Sequence, residues 1–301
     1  MQSRLLRHFL AVYNHLNITT AAEAIAITQP ALTKSIQLLE ADLGVPLFDR
    51  LPNGVVPTRY GEALAKHATM IFLEYDHALA EVEAMKGGAS GNIRIGAGPI
   101  WLTHFLPPAI AMFRAAHPSV RLSLDGTVIS TAIPALLRGD IEIFCGSLDF
   151  PDHPDLIKRE MGEIEHVVMA SRHHPLVTSI EAKPAQLLHY PWAMLASDDV
   201  GRRQLSAYFA NHGLLAPKAI LESTSIIGIL QNVRQGDFLA CLARPLLNSP
   251  SAEGLSEVPG PGPIWRYQAG MAIRRRLHTP VATNRFVDSV ISTYYQKFAA
   301  A

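Results

Sequence analysis

The chain has 301 residues, 49% of them hydrophobic, which suits about two domains with sizeable cores and excludes a chain that stays mainly disordered. Its 26 Lys and Arg balance 26 Asp and Glu, and charged residues make up only 17%, so no bulk basic field announces a polyanion partner. No run of 18 apolar residues occurs, polar residues interrupt the opening MQSRLLRHFLAVYNHLN, and the two cysteines, Cys145 and Cys241, lie far apart with no CxxC. Together these predict an unexported cytoplasmic protein with no membrane partner, disulfide framework or zinc ribbon.

In chain order, Leu5, Phe9, Val12 and Leu16 recur at steps of three and four and predict an amphipathic first helix. Thr20, three residues before Glu23, reads as a capping box opening a short helix to about Ala26. Thr28 is placed to cap a second helix, with Pro30 tolerated in its first turn and Gly44 closing it. Ala22, Ile25, Ile27, Leu32, Ile36 and Leu39 are spaced to share one core between these helices. That leaves Gln29, Thr33, Lys34 and Gln37 on the opposite face, with groups suited to base edges and phosphates. In residues 46–58, an Asn53-Gly54 turn between Leu47-Phe48 and Val55-Val56 predicts a small hairpin, a wing. Over residues 1–58 the cations Arg4, Arg7, Lys34 and Arg50 are matched by Glu23, Glu40, Asp42 and Asp49, so few phosphate contacts per copy are expected.

From Thr58 to about Met85 no proline occurs, and Leu64, Ala68, Ile71, Tyr75, Ala78, Val82 and Met85 alternate in steps of four and three. That spacing is the seam of a coiled coil and predicts a dimerisation helix. GGASG at 87–91 reads as a hinge. From Asn92 onward strand candidates (NIRIGAG, VRLSLDG, DIEIFCG, HVVMAS, PWAML, KAILEST, FLACLA) alternate with helices marked by Leu106, Ile110 and Phe113, then Leu205 and Phe209, then Ile226, Leu230 and Val233. This order predicts an α/β domain with parallel strands.

With these elements placed, the whole chain resembles the LysR-type transcriptional regulators. The run TQPALTKSIQLLEADLGVPLFDR carries the resemblance most specifically, through Ala22, Gln29-Pro30-Ala31-Leu32, Leu39-Glu40 and Gly44 to Arg50. Looser landmarks are FLPPAIAMFRAAHPSV, LLRGDIEI, HHPL, VRQGDFLACL and AGMAIRRRLHTPVATNRFVD. The resemblance implies an α+β multidomain chain: a helix-rich winged helix-turn-helix (1–58), a linker helix with hinge (59–91), and a two-lobed α/β effector domain similar to type 2 periplasmic binding proteins (92–301). Lobe I is expected at 92–162 and 268–301, lobe II at 163–267, with crossings near Gly162 and Tyr267. Expected partners are double-stranded operator DNA, a small-molecule effector, a second copy in a homodimer or homotetramer, and RNA polymerase; no cofactor is expected.

The resemblance also implies site residues. Gln29, Pro30, Ala31, Thr33, Lys34 and Gln37 would meet the major groove, and Arg50 at the wing base would reach the backbone or minor groove. The effector would sit beyond strand ends, at Pro99, Ile100, Trp101 and Thr103, at Thr127 and Ser130, and at Ser147, Ser197 and Thr224. Many relatives carry a pair of small hydroxyl residues after the first strand, where this chain has Pro99-Ile100-Trp101-Leu102. We therefore expect an effector with an apolar or aromatic part packing on Trp101, core packing of that ring being the alternative.

Other signals carry less. Gly96-Ala97-Gly98 lacks a third glycine and reads as a tight turn, not a dinucleotide site. His173-His174 has no carboxylate partner at metal-site spacing and reads as a polar loop. Cys145 and Cys241 read as core, and Arg274, Arg275 and Arg276 as solvated surface. No GxSxG, Walker lysine or metal spacing favours an enzyme built on a binding-protein fold, while a domain serving only oligomerisation stays open.

Overall fold

The computed structural model describes residues 2–85, 92–196, 198–275 and 280–298. The chain forms two compact units, Met1–Gly87 and Gly88–Ala301. Among the described residues no helix is long and apolar enough to cross a membrane.

In the first unit, α1 (Gln2–His15), α2 (Ile18–Ala24) and α3 (Gln29–Leu43) bury Leu5, Phe9, Val12, Ala22, Leu32, Ile36 and Leu39 in one core, with Ile25 and Ile27 half-buried at its edge. Leu16, expected to extend the first apolar stripe, is instead exposed and turns the chain at φ 51°, after the helix has ended. The expected Thr20–Glu23 capping box is displaced to Asn17. Its side-chain oxygen accepts from the amides of Thr19 and Thr20 at 2.9 and 3.1 Å, so α2 starts before Thr20. Thr28 occupies the cap position of α3 in extended conformation, but its hydroxyl makes no cap bond; Pro30 lies in the first turn. Gly44 ends α3 at φ 70°, a left-handed geometry that glycine adopts without a Cβ penalty.

The wing pairs β1 (Phe48–Leu51) antiparallel with β2 (Gly54–Pro57), with Leu51 opposite Gly54. The two-residue turn is therefore Pro52-Asn53, one position earlier than expected. Gly54 serves a different need: a Cβ there would lie 2.5 Å from the carbonyl oxygen of Leu16, which also accepts from the amide of Val55 at 2.9 Å. The wing is thus pressed onto the turn between α1 and α2.

α4 (Arg59–Met85) begins against this core and leaves it. Ala65 and Ala68 are buried, the Tyr13 hydroxyl donates to Glu62 at 2.7 Å, and Arg7 lies 5.2 Å over the Phe72 ring. Farther along, Ile71, Tyr75, Leu79 and Val82 are all exposed. The first part of the expected seam is therefore core of this unit, and only the later part forms an open apolar stripe. The expected hinge at 87–91 lies outside the described residues.

The second unit starts with β3 (Asn92–Ala97), one π-helical turn (Trp101–Phe105), α5 (Leu106–Ala116), β4 (Arg121–Gly126), α6 (Ile129–Arg138) and β5 (Ile143–Ser147). β6 (Leu156–Ser171) leads to α7 (Pro184–Leu187), β7 (Trp192–Leu195), α8 (Asp199–Asn211), β8 (Ala219–Ser223), α9 (Ile226–Gln235), β9 (Ala240–Ala243) and β10 (Leu255–Glu257). β11 (Trp265–Arg274) returns, and α10 (Val281–Lys297) closes the unit. Gly96 and Ala97 lie in β3, so the expected tight turn there is a strand end.

Among the described residues, the parallel pairing expected from strand–helix alternation is found in the pairs β3–β4, β3–β5 and β7–β8 and in one bridge from Trp192 to Leu239. Strand β6 spans 16 residues and pairs antiparallel with β11 from Leu156 to His166 and beyond that with β9 and β10, so the main sheet has the order β10-β6-β11-β5-β3-β4, with β9 on β6. Lobe I is built on the β5 side of this pair, and lobe II on the β9 side, where β7 joins through a bridge from Trp192 to Leu239. The register shifts between Ala269 and Gly270, a bulge opposite the segment around Gly162. Cys145 is buried in β5 and Cys241 half-buried in β9. Arg274 ends β11, the Arg275 Nε donates to the Pro154 carbonyl at 2.9 Å, and Arg276 lies outside the described residues.

Candidate functional site

Two surfaces, one in each unit, gather the chemistry. In the first unit α3 turns its apolar side inward, Leu32 being 0% exposed, so the other side must face out. Gln29, Pro30, Ala31, Lys34 and Gln37 are exposed there and Thr33 is half-buried; Gln29 Nε2 donates to the Thr33 hydroxyl at 3.0 Å. Arg50 is exposed on β1 opposite Val55. This face offers amides, a hydroxyl and an ammonium group along the first turns of α3, groups of the kind that reach base edges and phosphates when a helix enters a major groove.

A residue without an assigned task in the sequence organises this surface. Glu40, on the inner edge of α3, accepts through Oε1 from the amides of Leu47 at 2.7 Å and Phe48 at 3.3 Å, fastening the wing to the helix. Thr58 adds a second fastening, its hydroxyl donating to the Pro46 carbonyl at 2.7 Å and accepting from the Gly61 amide.

In the second unit a cleft of about 290 Å³ opens between the lobes. Of the residues expected to hold an effector, Pro99, Ile100, Trp101, Thr127 and Ser147 border it. Thr103 does not; its hydroxyl donates to the Pro99 carbonyl at 2.9 Å. Ser130 and Thr224 are exposed away from the cleft wall, and Ser197 lies outside the described residues. Thr127 Oγ1 lies 2.7 Å from Thr131 Oγ1, and Ser147 Oγ accepts from the Asp149 amide at 3.2 Å.

Trp101 is 0% exposed: its ring stacks on Tyr294 at 6.0 Å and meets the edge of Phe105 at 5.1 Å. Its faces are covered, so the expectation of an effector lying on this ring gives way to core packing. The aromatic surface of the cleft comes instead from Trp265 and Tyr267 on β11, with the His166 ring edge-on to both at 4.1 and 5.4 Å.

The titratable groups of the wall were not anticipated. Burial lowers His166 to about 3, so it is a neutral ring at physiological pH. Burial raises the Asp198 carboxyl, against the opposing pull of the Gly201 amide and the Arg202 charge. Asp198 Oδ1 accepts from the Gly201 amide at 2.9 Å and caps α8. Burial also raises Tyr267, reinforced by the carboxylates of Asp198 and Asp149 and by Tyr294. One signal could have located Asp198: it precedes the helix marked by Leu205 and Phe209, the place of an N-cap. His174, singled out with His173, is buried in a loop, its Nδ1 accepting from the Leu176 amide. Among the described residues no cluster of three metal-ligating groups exists.

Comparisons with known proteins agree with this architecture along the chain. The family model for the bacterial regulatory helix-turn-helix protein, lysR family, matches residues 3–62, and that for the LysR substrate binding domain matches residues 86–294. The SDS degradation transcriptional activation protein of a Pseudomonas species is 30% identical, covering 94% of this chain and 99% of its own. The transcriptional regulator GbpR of Rhizobium radiobacter is 27% identical over 80% of this chain and 81% of its own. Among solved structures, CbnR, a LysR family transcriptional regulator, shares the fold with a TM-score of 0.66 at 19% identity, over 97% of this chain and 99% of that one. Full-length CbnR complexed with target DNA gives a TM-score of 0.52 at 21% identity, with the same coverage.

Proposed function

The chain belongs to the LysR family of bacterial transcriptional regulators, and from that premise we propose how its residues divide the work of a cytoplasmic DNA-binding switch. Gln29, Thr33, Lys34 and Gln37 read the operator from α3, Pro30 and Ala31 approach the groove wall, and Arg50 holds the backbone beside the wing. The observation that carries this assignment is the exposed polar face of α3 over a sealed apolar one. The neutral charge balance of residues 1–58 makes a single unit a weak binder, so affinity depends on several copies engaging together. The exposed Ile71, Tyr75, Leu79 and Val82 stripe on α4 supplies the surface for a second copy, burying apolar area that otherwise meets water.

The cleft between the lobes holds a small effector, and its effect on transcription follows from linkage: the ligand shifts the population toward whichever lobe arrangement it binds more tightly. Mapping the genomic fragments bound by the purified protein, beside a Gln29→Ala, Lys34→Ala double variant, tests the DNA assignment. A few sites with two-fold symmetric halves, lost in the variant, are expected; enrichment unaffected by it removes α3 as the reading element. For the cleft, Ser147→Trp fills the cavity and is expected to abolish the rise in melting temperature that a bound metabolite produces.

A further inference from the structure

Two carboxylates border the cleft from the two lobes: Asp149, just after β5, and Asp198, at the start of α8. Neither has an ion-pair partner among the described residues. Arg202, four residues after Asp198, acts on that carboxylate through its charge, but its guanidinium hydrogen-bonds Glu222 at 2.9 Å and the carbonyls of Leu195 and Ala196 at 3.0 and 3.2 Å. Arg203 is the one Lys or Arg on the described wall and, like Asp149, is exposed, so by formal count the wall has two carboxylates against one guanidinium.

Apart from the exposed Arg203, the side chains and helix ends considered for an anion are neutral, apolar or engaged. His166 is neutral, and Ile100 and Trp101 supply apolar side chains after β3. The amide ends of α8 and α9 are filled from within, by Asp198 on Gly201 and by the Ser225 hydroxyl on Gly228 at 3.2 Å. A half-desolvated carboxylate facing a cavity gains most from a cation that replaces lost water.

Resting on the reading that this cleft is the effector site, we propose that the effector carries a positively charged amine on an apolar body, the ammonium group lying between Asp198 and Asp149 beside the Tyr267 phenol and the body against Trp265. Because the two carboxylates belong to different lobes, one ammonium group engages both and binds best when the lobes hold it jointly. Binding and lobe arrangement are thereby coupled through a single charge.

Calorimetric titration of the full-length protein with 2-phenylethylamine and hexylamine, against 3-phenylpropanoate and heptanoate as carboxylates of similar size, tests this. At least one amine is expected to bind ~10-fold or more tightly than its matched carboxylate, and Asp198→Asn or Asp149→Asn to weaken it about 10-fold. Asparagine at 198 keeps an oxygen for the Gly201 amide, so the helix cap survives. Equal or tighter carboxylate binding, no amine binding at millimolar concentration, or amine binding indifferent to both variants overturns the proposal. Carboxylate binding abolished by Ser147→Trp would leave the cleft as the site while removing the cation. Amine binding that survives Ser147→Trp would remove both.

Discussion

Replacing Glu40 by alanine removes the acceptor that ties the wing to α3, and its cost follows from two distances. The Leu47 amide at 2.7 Å makes a charge-assisted bond of about 1.5–3 kcal/mol, while the Phe48 amide at 3.3 Å adds little. Both amides are partly buried, so water recovers only part of the loss, and about 2 kcal/mol of destabilisation is expected in the first unit. For a domain of this size that corresponds to a fall in Tm of roughly 8–16 °C. Glu40→Gln keeps an acceptor oxygen without its charge and should lose about 1 kcal/mol. Scanning calorimetry gives the melting temperatures, and amide exchange over residues 47–57 tells whether the wing opens first. DNA affinity should fall in the same order, through displacement of Arg50 rather than loss of a contact. If Glu40→Ala melts with the parent protein and its wing amides stay protected, the fastening assigned to this carboxylate is wrong.

His166 gives the second unit a pH dependence of definite sign. Its folded value of about 3 lies below the unfolded 6.5, so between these values the unfolded chain binds the extra proton. Stability is complete above pH 6.5 and declines as pH falls toward 3, by at most about 1.4 kcal/mol per pH unit; urea melts of His166→Gln should show a flatter slope. Gly44→Ala forces a Cβ into φ 70° with open space around it, so backbone strain alone costs about 1–2 kcal/mol; thermal melts should show Gly44→Asn milder. Lys34→Ala should weaken all operator sequences alike and lower the salt slope of binding by about 1 per engaged protomer, read by titration at several salt concentrations.

The ends of α3 were legible because Pro30 and Gly44 each act through local geometry alone, while Thr28 takes the extended cap conformation without the cap bond expected of it. The start of α2 was not, because Asn17 and Thr20 are both cap formers; the left-handed turn at Leu16, which decides between them, is fixed by contact with Gly54. Strand β6 was read only at HVVMAS. Its earlier half carries Lys158, Arg159, Glu160, Glu163 and Glu165, whose place in a strand depends on pairing with β11 and on partners such as Arg244 and Arg266. In the cleft, the expected hydroxyls were chosen by position after strands, which located Thr127 and Ser147 but missed the carboxylates that line the same cleft. Trp101 looked the same in sequence whether it lined a cavity or filled a core; Tyr294, far along the chain, settles it.

Between the last rung of β5 on β11, at Ala269, and the first rung of β9 on β6, at His166, the lobes are joined in the sheet only by residues 163–165 paired with 266–268. Arg266 clamps this strip to Glu165 at 2.7 Å and to Glu163 at 3.6 Å. A double-stranded ribbon laced by hydrogen bonds is stiff against being pulled open in its plane and compliant about its long axis, since strand twist varies most where only two strands pair. It works as a torsion bar, not a door hinge. A displacement of one lobe is therefore expected to reach the other as torque about β6 and β11.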